Sequence, residues 1–462
     1  MANPYLDAID WGTQLPSLTV TYFFKESPAL YNSVAGKVAL NAWYPYEKQQ
    51  AEKALATFEK FTNLKFVETD SQAGADIVLM QSSNAYLGNG LLGIGAPPGT
   101  SHAGEVVFNW QGLGWDETNP GKGGLEQGGY GFVTMIHELG HALGLAHPHD
   151  TGGTSTVFPG VTPNDSSDLG TFNLNQGIFT MMSYNDGWRT SPNGAQKAGL
   201  AYGYEGTPMA FDIAVLQAKY GVNTTYRTGD DTYNLKNCNL VGTYYSSIWD
   251  AGGTDTIAFS GRAKAVIDLR SATLEPGPLA GGAVSWVSGI KGGFTIAYGA
   301  VIENARGGAG NDKLTGNDVG NVLTGGNGRD TLRGMAGEDR LIGGLGRDTL
   351  FGGGDADTFV FKSIAMSLPG AAMRDTIRDF DGPGGDLIDL RPIDALKGGA
   401  DDAFVFIGAM SFATYKALNP GAYGMVRVTG ANLVQVDVGG NKTVDMEIAV
   451  VGTALDASHF LL

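Results

Sequence analysis

The chain holds a single cysteine, Cys238, among 462 residues, so it cannot form an intramolecular disulfide. That lone thiol reads as a small buried or partly buried residue rather than a catalytic nucleophile. Basic residues are outnumbered: 30 Lys and Arg stand against 47 Asp and Glu, a net charge of −17. A nucleic-acid binder needs a basic footprint, and none is available here. No run of 18 apolar residues occurs, which excludes a membrane-spanning helix and stable membrane insertion. The opening "MANPYLDAID" has no basic segment followed by an apolar one, so an ordinary signal peptide is not expected. Histidine is scarce too, with six in all, yet four of them fall within "TMIHELGHALGLAHPHD", residues 134–150.

The length calls for two or more domains. Residues 1–17 read as an irregular or short helical lead-in, expected to pack on the C-terminal domain. "LTVTYFF" alternates like a strand, and "LKFVET", "ADIVLMQ" and "GEVVFNW" read as further strands. In "YEKQQAEKALATFEKFTN", Ala54, Leu55, Phe58 and Phe61 share one helical face. "PMAFDIAVLQAKYG" reads as a helix with proline at its start and glycine at its stop. Beyond about residue 222 helical periodicity fades and Asp, Gly, Asn and Thr take over. The boundary is placed between 1–225 and 226–462.

From 307 to 360 the chain repeats in nines: GGAGNDKLT, GNDVGNVLT, GGNGRDTLR, GMAGEDRLI, GGLGRDTLF, GGGDADTFV. Position one is always glycine, and position eight carries Leu314, Leu323, Leu332, Leu341, Leu350 and Phe359. One large apolar residue per nine cannot bury itself alone, but stacked turns can build a narrow core from them. Position six carries Asp312, Asn321, Asp330, Asp339, Asp348 and Asp357. Stacked carboxylates repel, and a hard divalent cation in an oxygen shell removes the repulsion. These blocks resemble the RTX calcium-binding β-roll. The resemblance implies two strands per 18 residues and export to calcium-rich surroundings.

Within the histidine segment, His137-Glu138-Leu139-Gly140-His141 fits H-E-x-x-H. On a helix, i and i+4 share a face, so both imidazoles can reach one metal. Val133, Ile136 and Leu143 give that helix an apolar side. Gly144 allows it to end, and the chain can return His147 to the same ion. Three imidazoles leave zinc an open position, as catalysis requires, and Glu138 is the candidate base. H-E-x-x-H alone is a weak signal; Gly144 and His147 at fixed spacing sharpen it.

The whole string resembles the metzincin metalloproteases, whose methionine turn beneath the metal is matched by "FTMMSYND", with Met182 as the turn residue. Tyr184, the His147-Pro148 pair and the RTX tail narrow the resemblance to the serralysin subgroup; astacins share the tyrosine but lack the tail. It covers nearly all 462 residues. It implies an α+β metzincin catalytic domain, then an all-β parallel β-roll and a β-sandwich-like C-terminal region. It implies zinc on His137, His141, His147 and, in the free enzyme, Tyr184. It implies structural calcium ions. "YRTGDD", "WDAGGTDT" and "AVIENARGG" look like family calcium segments and point to Arg227, Gly229, Asp231, Asp250, Gly252, Gly253, Asp255 and Glu303. The repeats add Gly308, Gly310, Asp312, Gly326, Gly328, Asp330, Gly337, Asp339, Gly344, Gly346, Asp348 and Asp357.

The implied function is a secreted zinc endopeptidase of broad specificity. Its partners would be protein and peptide substrates and a proteinaceous inhibitor, and its state a monomer. The neighbourhood of "LLGIGAPPGT" would form the cleft's upper rim, where an extended substrate adds as a strand. The chain departs from the family in places. The second repeat lacks key Gly and Asp residues, Asp231 stands where relatives often carry Thr, and His459 in "SHFLL" replaces the usual Asp of the export signal. Signal-peptide-independent type I export is the expectation, with no inhibitory propeptide visible and a mature form implied. His102 and His149 are expected at the surface. The rival readings are a zinc hydrolase acting on a non-protein substrate and a calcium-dependent binding protein with a vestigial zinc site.

Overall fold

In the computed structural model, which describes residues 3–27, 29–116, 120–195, 201–396, 402–430 and 432–462, the strand and helix periods resolve into two hydrophobic cores. The first is built on a five-stranded sheet in the order Lys65–Glu68, Thr19–Phe24, Ile77–Ser82, Glu105–Asn109, Gly93–Gly95. The first four strands run parallel and the last is antiparallel. Helices Pro45–Glu59 and Tyr130–Ala142 pack against each other beneath it. Ala54, Leu55, Phe58 and Phe61 are all buried, as their helical spacing required.

The lead-in forms a short helix, Pro4–Ile9, with Asn3 capping it by accepting from Tyr5 N–H and Leu6 N–H. Tyr5, Ala8 and Ile9 join the first core, and Tyr5 stacks on Phe211 of helix Ala210–Tyr220 at 5.2–5.4 Å from its aromatic neighbours. Asn3 also donates to the Leu274 carbonyl, 2.9 Å away, so the lead-in touches both halves of the chain.

The second core lies between an eight-stranded and a twelve-stranded sheet. Strands an interval of 18 apart pair in parallel: Leu314 with Leu332 and then Leu350 on one sheet, Leu323 with Leu341 and then Phe359 on the other. All six are completely buried. Each such side chain contributes about 1.5–3 kcal/mol by leaving water, which is why the apolar position of the repeat is kept. The twelve-stranded sheet continues past the repeats into the antiparallel run Met425–Thr429, Leu433–Asp437, Met446–Gly452. Among the described residues, no helix is long and apolar enough to cross a membrane.

Candidate active site

Helix Tyr130–Ala142 carries His137, Glu138 and His141, and all but its first residue are buried. Val133, Ile136 and Leu143 hold its apolar side in the core. The helix stops at Gly144, whose φ of 93° is open to glycine and whose N–H closes on the His141 carbonyl at 2.8 Å. The chain then turns back and brings His147 over the helix.

The three imidazoles converge. His147 Nε2 lies 3.2 Å from His137 Nε2 and 3.0 Å from His141 Nε2. Their other nitrogens are engaged: His137 Nδ1 with the Met181 carbonyl at 2.8 Å, His141 Nδ1 with the Leu145 carbonyl at 3.0 Å, His147 Nδ1 with Asp150 Oδ2 at 3.0 Å. Those acceptors fix the proton on Nδ1 and leave three Nε2 lone pairs facing one point. Burial, and then the neighbouring His147, pushes His137 down to about 3 and His141 well below its ordinary value. Three Nε2 lone pairs facing one point repel one another, and a divalent metal would relieve them; the donor set suits zinc.

The Tyr184 hydroxyl completes the arc, 3.2 Å from His147 Nε2. It is pushed up to about 12, first by desolvation and then by the charges of Glu138, Asp150 and Asp186, so it keeps its proton at neutral pH. Burial raises the Glu138 carboxyl to about 8, opposed by the Gly95 backbone N–H. The strand Gly93–Gly95 lies so close to the helix that a Cβ on Gly93 would sit 2.6 Å from Glu138 Cγ. One on Gly95 would sit 2.3 Å from the Glu138 carbonyl oxygen. Glycine there lets an edge strand run flush along the site.

The methionine turn fits against the same helix. Met182 is fully buried, and a Cβ on Gly140 would meet Met181 Cε at 2.7 Å and Met182 Sδ at 3.0 Å. The turn is tied down by Asp212, which accepts from Thr180 Oγ1 at 2.6 Å, Met181 N–H at 2.8 Å and Met209 N–H at 2.8 Å. Neither Asp212 nor Asp150 was singled out from sequence. Asp212 carries the one local signal available, an acidic residue in the first turn of a helix.

Two expectations fail. His149 is buried rather than at the surface: its ring stacks on His147 at 5.1 Å and packs on Tyr184 at 4.8 Å, and its Nδ1 has no partner. The return of the chain after Gly144 folds it under the tyrosine, which its polar neighbours in sequence do not disclose. Cys238 is exposed, not buried. His102 is half-buried, with Nδ1 3.1 Å from Glu105 Oε2.

In the second half, carboxylate oxygens of Asp231, Asp250 and Asp255 lie within 4.8 Å of one another. Asp231 also pairs with Arg227 at 3.4 Å. Glu303 Oε2 accepts from the Asp255 N–H at 2.7 Å, and Gly229 and Gly253 meet so closely that a Cβ on Gly253 would lie 2.4 Å from the Gly229 carbonyl oxygen. Gly252 stands beside it at φ 140°.

The repeat aspartates form ladders. Asp312 N–H donates to Asp330 Oδ1, and Asp330 N–H to Asp348 Oδ1, at 2.7 and 2.8 Å. Asn321 N–H donates to Asp339 Oδ1, and Asp339 N–H to Asp357 Oδ1, at 2.7 and 3.0 Å. The second oxygens of Asp330, Asp339, Asp348 and Asp357 are buried with no partner, as is that of Asp255. Buried, orphaned carboxylate oxygens in a row are what a hard cation would satisfy. Gly308, Gly310, Gly326, Gly328, Gly344 and Gly346 stack in the turns of one edge, and Gly337 lies on the other. Position one must be glycine because a Cβ on Gly325 would lie 2.5 Å from Asp330 Oδ2. The ladders run on past the repeat to Asp375 and Asp386, which were not foreseen.

Comparison with known proteins agrees with this geometry. The family model described as Matrixin matches residues 42–170, and that described as Peptidase M10 serralysin C terminal matches 212–462. The chain is 38% identical over 440 residues to serralysin of Proteus mirabilis, covering 88% of this chain and 82% of that one. It is 36% identical over 454 residues to metallopeptidase AprA of Pseudomonas marginalis, covering 95% and 84%. Metalloprotease AprA of Pseudomonas entomophila is 34% identical over 455 residues, covering 95% and 84%. The chain therefore belongs to the serralysin family of metzincins, zinc-dependent metalloendopeptidases that act on peptide bonds.

Proposed function

We propose that His137, His141 and His147 hold the zinc ion, with Tyr184 as a further ligand in the resting enzyme, and that Glu138 is the general base. The observation that carries this is the meeting of three Nε2 atoms, each with its Nδ1 already committed. Zinc bound there supplies Lewis acidity to a water and to the scissile carbonyl. Glu138, one residue from a ligand and held in a desolvated niche, accepts the water proton and delivers it to the leaving amine. Tyr184 swings away from His147 and donates a hydrogen bond to the oxyanion of the tetrahedral intermediate. An extended substrate pairs with the edge strand Gly93–Gly95 through backbone hydrogen bonds, which read side chains weakly, so specificity is broad.

Calcium ions held by Asp231, Asp250, Asp255 and Glu303 and by the aspartate ladders stabilise the C-terminal half in the same proposal. We also propose secretion by a signal-peptide-independent type I route, a monomeric state, and a proteinaceous inhibitor as partner. The test is metal analysis of the purified chain together with casein hydrolysis, set beside turnover of small esters and amides. One zinc per chain with casein cleavage is expected. Ester turnover without casein cleavage would favour a hydrolase of other substrates, and zinc-free chain that still cleaves casein would overturn the site.

A further inference from the structure

A cavity of about 340 Å³ opens beside the reacting centre, with His137 and Glu138 at its mouth. Whatever fills it sits next to the scissile bond, because those two residues bound both the cavity and the centre. Its walls are mixed in a particular way. Leu91, Leu92 and Val133 offer aliphatic surface, while Tyr130 and Asp186 offer an aromatic face and a carboxylate. An alkyl stem ending in a cation matches that sequence of surfaces, since long basic side chains bury their methylenes and keep the charged head on a polar partner.

Asp186 is held rigidly in place. The preceding residue, Asn185, is buried, and its Nδ2 donates to the Ser166 and Asn175 carbonyls, both at 3.0 Å. The following residue, Gly187, donates its N–H to Glu205 Oε1 at 2.7 Å, and its carbonyl accepts from Ile178 N–H at 2.9 Å. The Tyr130 and Asp186 side chains share the cavity wall. A carboxylate can accept several hydrogen bonds at once. Arg189 acts on it only at a distance and is itself exposed, and among the described residues no ion pair reaches Asp186. A carboxyl group that lines a cavity with no cation paired to it offers a partner for an incoming cation.

We propose that this cavity is a side-chain subsite for arginine or lysine adjoining the scissile bond, and that Asp186 is the residue that reads the cation. Arginine fits better than lysine. Its planar guanidinium can fork onto the carboxylate and lie against the Tyr130 ring, which is itself backed by Tyr204 at 4.9 Å. The preference is superimposed on the weak reading by the edge strand, and it rests on the peptide-hydrolysis mechanism proposed above.

The test is a set of peptides that differ only at the residues flanking the scissile bond, carrying arginine, citrulline, lysine, leucine or glutamate. Citrulline keeps the shape of arginine and removes its charge. With zinc-loaded full-length protein, kcat/KM for arginine should exceed that for citrulline by about 10- to 100-fold, the worth of one charge-assisted hydrogen bond. In Asp186→Asn that ratio should fall toward one. Equal values for arginine and citrulline at both flanking positions in the wild type would overturn the proposal. So would an Asp186→Asn protein that keeps the wild-type ratio. The wild-type comparison decides on the charge even where the variant does not fold. Cleavage of the leucine peptide with no charge preference removes the subsite alone, whereas no cleavage of any peptide removes the hydrolytic mechanism and the subsite with it.

Discussion

Burial acts on Glu138 and on His137 and His141 in opposite senses, and both senses suit the proposed hydrolysis. It lowers His137 and His141, which favours free lone pairs for metal, and it raises the carboxyl to about 8, near the pH at which a base both takes up and returns a proton. Glu138→Ala should therefore keep zinc, since no histidine is disturbed, and lose proteolysis by about 10² to 10⁴. Near-normal casein cleavage by a zinc-loaded Glu138→Ala protein would remove Glu138 from the mechanism. Tyr184 is in a different position: its ring is exposed and its hydroxyl touches only the edge of the cluster, at His147. Tyr184→Phe should bind zinc nearly as well, because three imidazoles suffice, yet lower kcat more than it raises KM. That split is the signature of a contact made mainly in the transition state. A change confined to KM would instead make Tyr184 a binding residue. These residues were legible because H-E-x-x-H and its extension fix a helix face and a return. His149 was not, because its burial depends on where the return loop lands, and Asp212 was not, because its partners at Thr180 and Met181 lie about 30 positions away.

The stacked turns show how far an element can be read from its period. The 18-residue register, the buried apolar position and the aspartate ladders all follow from the strict repeat of nine. The ladder's continuation does not, because the spacing breaks: Asp348 N–H reaches Asp375 Oδ1 across 27 positions and Asp357 N–H reaches Asp386 Oδ1 across 29. The two edges also differ in ways the sequence already hints at. One edge stacks Asp312, Asp330, Asp348 and Asp375, and the other begins with Asn321, whose amide carries no charge where the first edge has the Asp312 carboxylate. On that second edge Met335 is held at φ 94° and Asp355 at φ 69°, conformations that favour glycine. Asp330→Ala should therefore lower calcium affinity and the melting temperature of the C-terminal half more than Asp339→Ala does; equal losses, or the reverse order, would reject the asymmetry. Met335→Gly should stabilise the same region by about 0.5–1 kcal/mol, the relief of a strained φ less the added freedom of the unfolded chain. Chemical denaturation with calcium present measures it, and a destabilised variant would mean that the methionine side chain contributes packing that outweighs the strain.

Across the whole molecule, the excess of acid becomes intelligible as a set of carboxylates folded inward rather than a solubilising surface. In the metal-free fold, burial first and ladder neighbours or backbone contacts second set the values of Asp330 at about 8, Asp339 at about 7, Asp348 at about 6, Asp357 at about 7 and Asp375 at about 9. Each exceeds the ordinary value near 4. A carboxyl whose folded pKa is raised binds its proton more tightly when folded. Its stabilising contribution is complete below about pH 4 and is lost as pH climbs through the folded value. The calcium-free C-terminal half should thus melt at progressively lower temperature between about pH 5 and pH 9. Calcium bound at the proposed ladder sites would reverse the direction, because it would take the ionised ladder and compete with protons for the same oxygens. Its stabilisation follows occupancy, and occupancy rises as the protons leave. Glu205 at about 8 and Asp212 at about 6 titrate in the first core with the same sign and are independent of the ladders. The decisive quantity is therefore the difference between melts in excess calcium and melts in chelator, taken at each pH. That difference should widen steadily from pH 5 to pH 9. A difference that is constant with pH, or that narrows, would show that the orphaned ladder oxygens are not where calcium binds.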